Sequence, residues 1–168
     1  KMIFTFLGRL LFQLGLIDHG WEKFPVLIGH AGVGKSKLKE IITYLVPNFH
    51  LIPTEVKGQF AFQDVPGHNL VICDEVQKNS TIDPQWVRMM SASNGLAGES
   101  KVSSSVKHKS QITYTPTQPL FFVGNSFPNW PDESGQVGRR LFGMLWDRVV
   151  TADARDNGLL DKMKNEVD

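Results

Sequence analysis

Apolar residues recur along the chain in two alternating rhythms. Ile3, Phe4, Leu7, Leu10, Leu11 and Leu14 fall at the spacing of one helix face, with Gly15 placed as its stop. Pro25-Val26-Leu27-Ile28 is a short apolar run. A glycine-rich loop separates it from a second helical pattern over Lys35 to Leu45, which Pro47 ends. Leu70-Val71-Ile72-Cys73 and Pro119-Leu120-Phe121-Phe122-Val123 are unbroken apolar stretches, as expected of strands covered on both faces. Asp83-Pro84 supplies an N-cap and a first-turn proline for a helix reaching Met90. Lys101 to Thr115 alternates and suits a β-hairpin, and the tail beyond Asp153 reads as an amphipathic helix. Strands alternating with helices predict an α/β fold of three layers, with a mainly parallel central sheet and a hairpin insertion. The expected division is an N-terminal helix over 1–20, a core over 21–150 and a C-terminal helix over 151–168.

Bulk properties narrow the picture only modestly. A chain of 168 residues, 41% hydrophobic and 21% charged, has the make-up of one globular domain with a real core. A net charge of +1 excludes a chain-wide attraction to nucleic acid, so any such binding must come from a local patch. The single cysteine, Cys73, excludes an intramolecular disulfide framework and fits a reducing compartment. The apolar stretch from Met2 to Leu16 carries Arg9 and two glycines and is too short to cross a bilayer. Neither a signal peptide nor a transmembrane helix is expected, and no membrane partner. The chain opens on a helical pattern without an initiating methionine, as a piece cut from a longer protein would.

Three motifs carry chemistry. Gly29-His30-Ala31-Gly32-Val33-Gly34-Lys35-Ser36 meets the phosphate-loop pattern in full and lies between an apolar strand and a helix. Its glycines let backbone N–H groups close around phosphate oxygens, and the helix start adds its positive dipole end. Lys35 would place an ammonium on the β- and γ-phosphates of ATP, and the Ser36 hydroxyl would bind Mg²⁺. His30 and Lys37 read as incidental loop and helix residues. Asp74-Glu75 ends the second apolar run, some forty residues beyond the loop. Asp74 would hold Mg²⁺, directly or through a water, and Glu75 would act as general base on the attacking water. Asn125 ends the run through Val123-Gly124, where an amide can bond the γ-phosphate or the lytic water; without the other motifs it would read as a turn residue. Cys73 is expected as core and not as a nucleophile.

The order of these motifs resembles the superfamily 3 helicases of DNA viruses. The carriers are the phosphate loop, Val71-Ile72-Cys73-Asp74-Glu75, a hairpin with Lys107-His108-Lys109, and Phe122-Val123-Gly124-Asn125. Gly124-Asn125-Ser126-Phe127-Pro128-Asn129-Trp130, with Asp132, Gly135 and Arg139-Arg140-Leu141, is similar to the primase–helicases of large DNA viruses, as is Leu7-Gly8-Arg9-Leu10-Leu11. The resemblance spans Met2 to Arg148. It implies an AAA+ ATPase core, a homo-oligomeric hexameric ring and translocation on single-stranded DNA. It also implies an intracellular site of action, in host cytoplasm or nucleus where the virus replicates. Arg140 is the implied arginine finger, acting on a neighbour's site, with the adjacent Arg139 as alternative.

The implied nucleic-acid element is the hairpin. No acidic residue stands between Glu99 and Asp132, whereas Lys101, Lys107, His108 and Lys109 all do, so this is a basic island suited to gripping phosphates without reading sequence. The chain departs from the resemblance in two ways. No primase or separate collar domain fits in its length, so a primase domain would lie elsewhere in the full protein. Leu141 to Trp146 is less regular than a closing strand should be. An ATPase of assembly or packaging, an RNA helicase and a P-loop kinase stand as alternatives, although the chain has no arginine-rich lid for the last.

Overall fold

The apolar runs become the middle of one parallel sheet in the computed structural model, which describes residues 2–13, 23–55, 62–91, 101–104, 112–130, 132 and 134–167. Strand β1 is Phe24–Gly29, β3 is Leu70–Val76 and β6 is Leu120–Gly124. The shorter β2, Phe49–Ile52, and the closing β7, Leu141–Trp146, lie at the edges. All five pair in parallel in the order β2-β3-β6-β1-β7.

Successive strand residues point to opposite faces, and each face has its own core. Leu27, Leu70, Ile72, Phe121 and Val123 pack with Leu10 and with Ile42 on one side. Val26, Ile28, Val71, Cys73 and Phe122 pack with Trp86, Val87 and Met90 on the other. Helices α1, Met2–Arg9, and α2, Lys35–Leu45, supply the first cover; α3, Pro84–Ser91, supplies the second. This two-sided burial explains the unbroken apolar runs and gives the expected three layers.

Several local expectations hold. Helix α2 runs over the predicted residues. The Asp83 carboxylate accepts the Gln85 N–H at 2.8 Å as an N-cap should, and α3 follows. Strands β4, Val102–Ser104, and β5, Ile112–Tyr114, form the antiparallel base of the hairpin, with Val102 opposite Tyr114. The base is anchored by buried Val102 and by the Tyr114 hydroxyl, which donates to the Phe62 carbonyl at 3.2 Å. The basic tip with Lys107, His108 and Lys109 lies outside the described residues; Lys101, at the foot, is exposed. The tail is helical only from Leu159 to Val167, helix α4, because residues 151–158 form turns instead; the α4 Lys164 ammonium sits 5.2 Å from the centre of the Tyr44 ring on α2.

Other expectations are corrected. Helix α1 ends at Arg9, earlier than its apolar spacing suggests, and tightens into a turn in which Leu10, Leu11 and Phe12 donate three residues back. The Arg9 guanidinium closes that turn by donating to the Phe12 carbonyl at 2.8 Å. Leu14 and Gly15 lie outside the described residues. Leu141–Trp146, read as irregular, pairs with β1 along its full length, Phe24 beside Leu141 and Gly29 beside Trp146. Its apolar pattern breaks at Gly143 because a side chain there would meet the Phe127 ring at 3.1 Å. Phe142 still packs inward, stacked on Phe6 with ring centres 3.4 Å apart. Strand β2 was not anticipated. Among the described residues no helix is long and apolar enough to cross a membrane.

The closest backbone approach lies where β6 meets β3. A Cβ on Gly124 would fall 2.0 Å from the Val76 carbonyl oxygen, which is backbone and cannot step aside. Gly124→Ala should therefore destabilise the fold by about 1–3 kcal/mol. Gly8→Ala, in α1 with open space around it, should be neutral or stabilising by up to about 1 kcal/mol. Urea denaturation of the two variants checks this, and equal effects would refute the close-approach argument.

Candidate active site at the carboxyl edge of the sheet

Strand β1 ends at Gly29, and the chain turns through the glycine loop into α2. Gly32 and Gly34 hold φ of 82° and 94°, the left-handed region that favours glycine. Gly29 is required for a different reason: a Cβ there would lie 2.1 Å from the Trp146 carbonyl oxygen. Val33 is buried and anchors the loop from below, and the Val150 N–H donates to the Gly32 carbonyl at 3.0 Å. His30, Ala31 and Ser36 are exposed. Helix α2 begins at Lys35 with no side-chain cap, so its first N–H groups face the cleft without a side-chain acceptor. The Lys35 ammonium donates to the Gly29 carbonyl at 2.5 Å, the His30 carbonyl at 2.7 Å and Asn125 Oδ1 at 3.1 Å.

The acidic pair is presented by a break in the ladder. In a regular strand Asp74 and Glu75 would face opposite ways. Instead the β3–β6 register shifts between Cys73 and Val76, and Glu75 takes a φ of 57°, rare for a non-glycine residue. Both carboxylates thereby line the same cleft. Asp74 Oδ1 accepts the Glu75 N–H at 3.0 Å, and Asp74 Oδ2 is ion-paired with the Lys39 ammonium. The Asn125 N–H donates to the Val76 carbonyl at 2.9 Å, fixing the end of β6 against the end of β3. Burial, followed by the Asp74 charge, pushes the Cys73 thiol up to about 12, so this side chain is inert core.

The result is one cleft of about 890 Å³. Its floor is the glycine loop, its near wall carries Lys35, Asp74, Glu75 and Asn125, and its far wall comes from Trp146 and the segment 154–157. Sequence reasoning missed Lys39 and that far wall. Lys39 stands one helical turn beyond Lys35, a spacing that could have flagged it. Among the described residues no three His, Cys, Asp or Glu side chains gather as a metal centre.

Arg139 and Arg140 are elsewhere. They form the 3₁₀ turn Gly138–Arg140 at the start of β7, six strand residues from its end at Trp146. That separation from the loop is about 20 Å at ~3.3 Å per residue. Arg140 is 7% exposed, and its Nη1 donates to the Gln136 carbonyl at 2.6 Å. Arg139 is exposed, and its carbonyl accepts from the Lys23 ammonium at 2.8 Å. Asp132 builds the turn, accepting the N–H groups of Val137 at 3.0 Å and Gly138 at 2.7 Å. Those two bonds hold its carboxyl below the usual carboxylate range.

Residues 27–140 match the family described as "Family of unknown function (DUF5906)". No curated protein matches the sequence. Among solved structures, the chain is similar to the A-form apo structure of the NrS-1 C terminal region, with a TM-score of 0.62 and 12% identity over 88% of this chain and 35% of that one. JCV Helicase, solved with a small organic compound, gives a TM-score of 0.56 and 14% identity over 87% of this chain and 41% of its own. At such identities the likeness is one of fold. The chain spans 35% of the NrS-1 chain it matches.

The Asp132 turn has a pH signature. Its carboxylate form accepts the two N–H groups, so folding favours the charged state. The stabilisation is complete above the ordinary carboxyl value of 3.8 and is lost as pH falls through the lower folded-state value. Asp132→Ala should lower the denaturation midpoint at about pH 7, with the gap to wild type narrowing as pH falls below the ordinary carboxyl value of 3.8. A gap independent of pH would take the carboxylate charge out of the turn's stability.

Proposed function

Because the chain belongs to the family of unknown function DUF5906 and joins a full phosphate loop to an acidic pair and an asparagine, we propose that it is the ATPase motor of a viral replicative helicase, translocating on single-stranded DNA. The observation that carries this reading is the convergence of Lys35, Asp74, Glu75 and Asn125 on one cleft from three adjacent strand ends. The fold likeness to JCV Helicase supports it.

In this reading the loop N–H groups and the Lys35 ammonium bind the β- and γ-phosphates of ATP. Ser36 and Asp74 offer hard oxygen ligands on one wall of the cleft, a donor set that fits Mg²⁺ completed by water and phosphate. The ion would supply charge neutralisation at the phosphates. Glu75 orients the attacking water and takes its proton, and Asn125, already bonded to Lys35, reads the γ-phosphate. The far wall at Trp146 leaves room for the nucleoside.

Neither arginine can reach its own loop, so a finger must act on a neighbouring subunit, as in a hexameric ring. Arg139, being exposed, offers its guanidinium as the fold stands; Arg140 would first have to release Gln136. Lys107, His108 and Lys109, with Lys101, would grip the phosphates of the DNA strand from the hairpin. A primase domain elsewhere in the natural protein, and a site of action inside the host cell, fit the same reading.

Lys35→Ala should abolish ATP hydrolysis. Glu75→Gln should keep nucleotide binding and slow turnover by about a hundredfold or more, the scale of a general base. Steady-state ATPase and equilibrium nucleotide binding, each with and without single-stranded DNA, test both. Wild-type hydrolysis indifferent to DNA would reject the helicase reading, and wild-type turnover by Glu75→Gln would reject the base.

The finger is tested by mixing subunits. Arg139→Ala subunits, inactive alone, should regain partial ATPase when mixed with Lys35→Ala subunits, because some interfaces then hold a complete site. Recovery with Arg140→Ala instead moves the role to that residue. No recovery with either, once mixed assemblies are verified, excludes action across an interface.

A further inference from the structure

Lys35, Lys37 and Lys39 follow one another at every second position of α2, and the helix separates their tasks. Lys37, at the rim of the cleft, pairs with Glu40 at 2.7 Å and is nearly half exposed. Lys39, four residues after Lys35, returns to the face of the cleft and lines it. There its ammonium is ion-paired with Asp74 Oδ2, both side chains being less than a third exposed. Asp74 Oδ1 is already taken by the Glu75 N–H. Both oxygens of the carboxylate assigned to magnesium are therefore engaged by the protein itself.

We infer that Lys39 competes with the divalent cation for Asp74, and so sets how strongly nucleotide binding depends on Mg²⁺. The inference rests on the nucleotide-binding reading of the cleft. Two cations cannot share Asp74 Oδ2 without repulsion, so a metal there has to displace the Lys39 ammonium, and one on Oδ1 still stands close enough to repel it. The lysine's four-carbon stem lets it swing away at small cost, and phosphate oxygens entering the cleft are its next partner. Without a divalent ion, Lys39 screens Asp74 from the phosphates; with one, it stands in the metal's way. Removing the ammonium should thus act in opposite directions in the two conditions. A residue that merely held Asp74 in place would weaken metal-supported binding when removed.

The experiment measures the affinity of N-methylanthraniloyl-ATP for the whole chain in excess EDTA and in saturating Mg²⁺. Lys39→Met should bind more weakly than wild type in EDTA and more tightly in Mg²⁺. The ratio of the two affinities should rise by about two- to fivefold, the scale of a partly exposed ion pair. Lys39→Gln should do the same, and Lys39→Arg should keep the wild-type ratio. In an Asp74→Asn background, Lys39→Met should leave the ratio unmoved, since the contested charge is gone. An unchanged or reduced ratio in both neutral variants overturns the inference, as does an equal rise in the Asp74→Asn background. If wild type binds the nucleotide under neither condition, the nucleotide-binding reading fails and this inference with it. If wild type binds but the ratio stays fixed, Lys39 alone is excluded.

Discussion

The arrangement depends on two places where neighbouring strands come too close for any side chain. At one, Gly124 on β6 lies against the Val76 carbonyl of β3; at the other, Gly29 on β1 lies against the Trp146 carbonyl of β7. Each contact is at the carboxyl end of a strand, where the chain leaves the sheet for a functional loop. The first seats Asn125 beside the acidic pair, with the Asn125 N–H continuing the ladder onto Val76. The second sets the phosphate loop against the start of the segment that forms the far wall. Because β3, β6 and β1 are parallel neighbours, three ends that are remote in sequence arrive at one edge. A larger residue at either glycine would wedge two backbones apart and move the groups that line the cleft.

Charge in this cleft is balanced locally. Lys35, Lys37, Lys39 and Arg155 line it together with Asp74, Glu75 and Asp156, and the chain as a whole is nearly neutral. Interactions there are stronger than on open surface because fewer waters screen them. Each lysine is held by protein acceptors, Lys35 by two loop carbonyls and Asn125, Lys39 by Asp74. A polyanion with its metal would redistribute both sets of bonds at once. On the proposed reading this ties phosphate binding to Asn125 and metal binding to β3, so nucleotide state reaches two strands of the sheet through side chains already in contact with them.

What the sequence made legible follows from how local each signal is. The central strands were readable because burial on both faces leaves no polar position, and the phosphate loop because its glycines answer to backbone geometry within eight residues. The edge strands were not. β2 is half exposed, and β7 is interrupted by Gly143, whose reason is a ring sixteen residues earlier. Helix α1 was over-extended because apolar spacing continues past the point where the Arg9 side chain closes the last turn. In the cleft, motif order sufficed to nominate Lys35, Asp74, Glu75 and Asn125, and the fold brings them together. Helical spacing from Lys35 could place Lys39 on the same face, but not reveal its partner thirty-five residues away, or that Arg140 turns inward while Arg139 faces out. Those facts belong to packing between segments, which a periodicity does not encode.

The same sheet that gathers the cleft residues separates the arginines from them. Parallel strands have two unlike ends, and the 3₁₀ turn sits at the amino end of β7 while the loop sits at the carboxyl end of β1. An assembly that joins finger to phosphate must therefore set one subunit's amino edge against the next one's carboxyl edge. That contact is head-to-tail, and it closes only as a ring or continues as a filament. Asp132 then has a mechanical part: by holding Val137 and Gly138 it fixes where the turn presents Arg139. The hairpin base lies on the sheet face away from α2, its Val102 in one apolar cluster with Val71, Cys73 and Val76 of β3. Strand β3 thus carries Asp74 at one end and shares an apolar cluster with the hairpin's foot. On the proposed reading, a shift of the Asp74–Glu75 bulge would be felt in the cluster that seats the hairpin's foot, the kind of coupling a translocating motor needs.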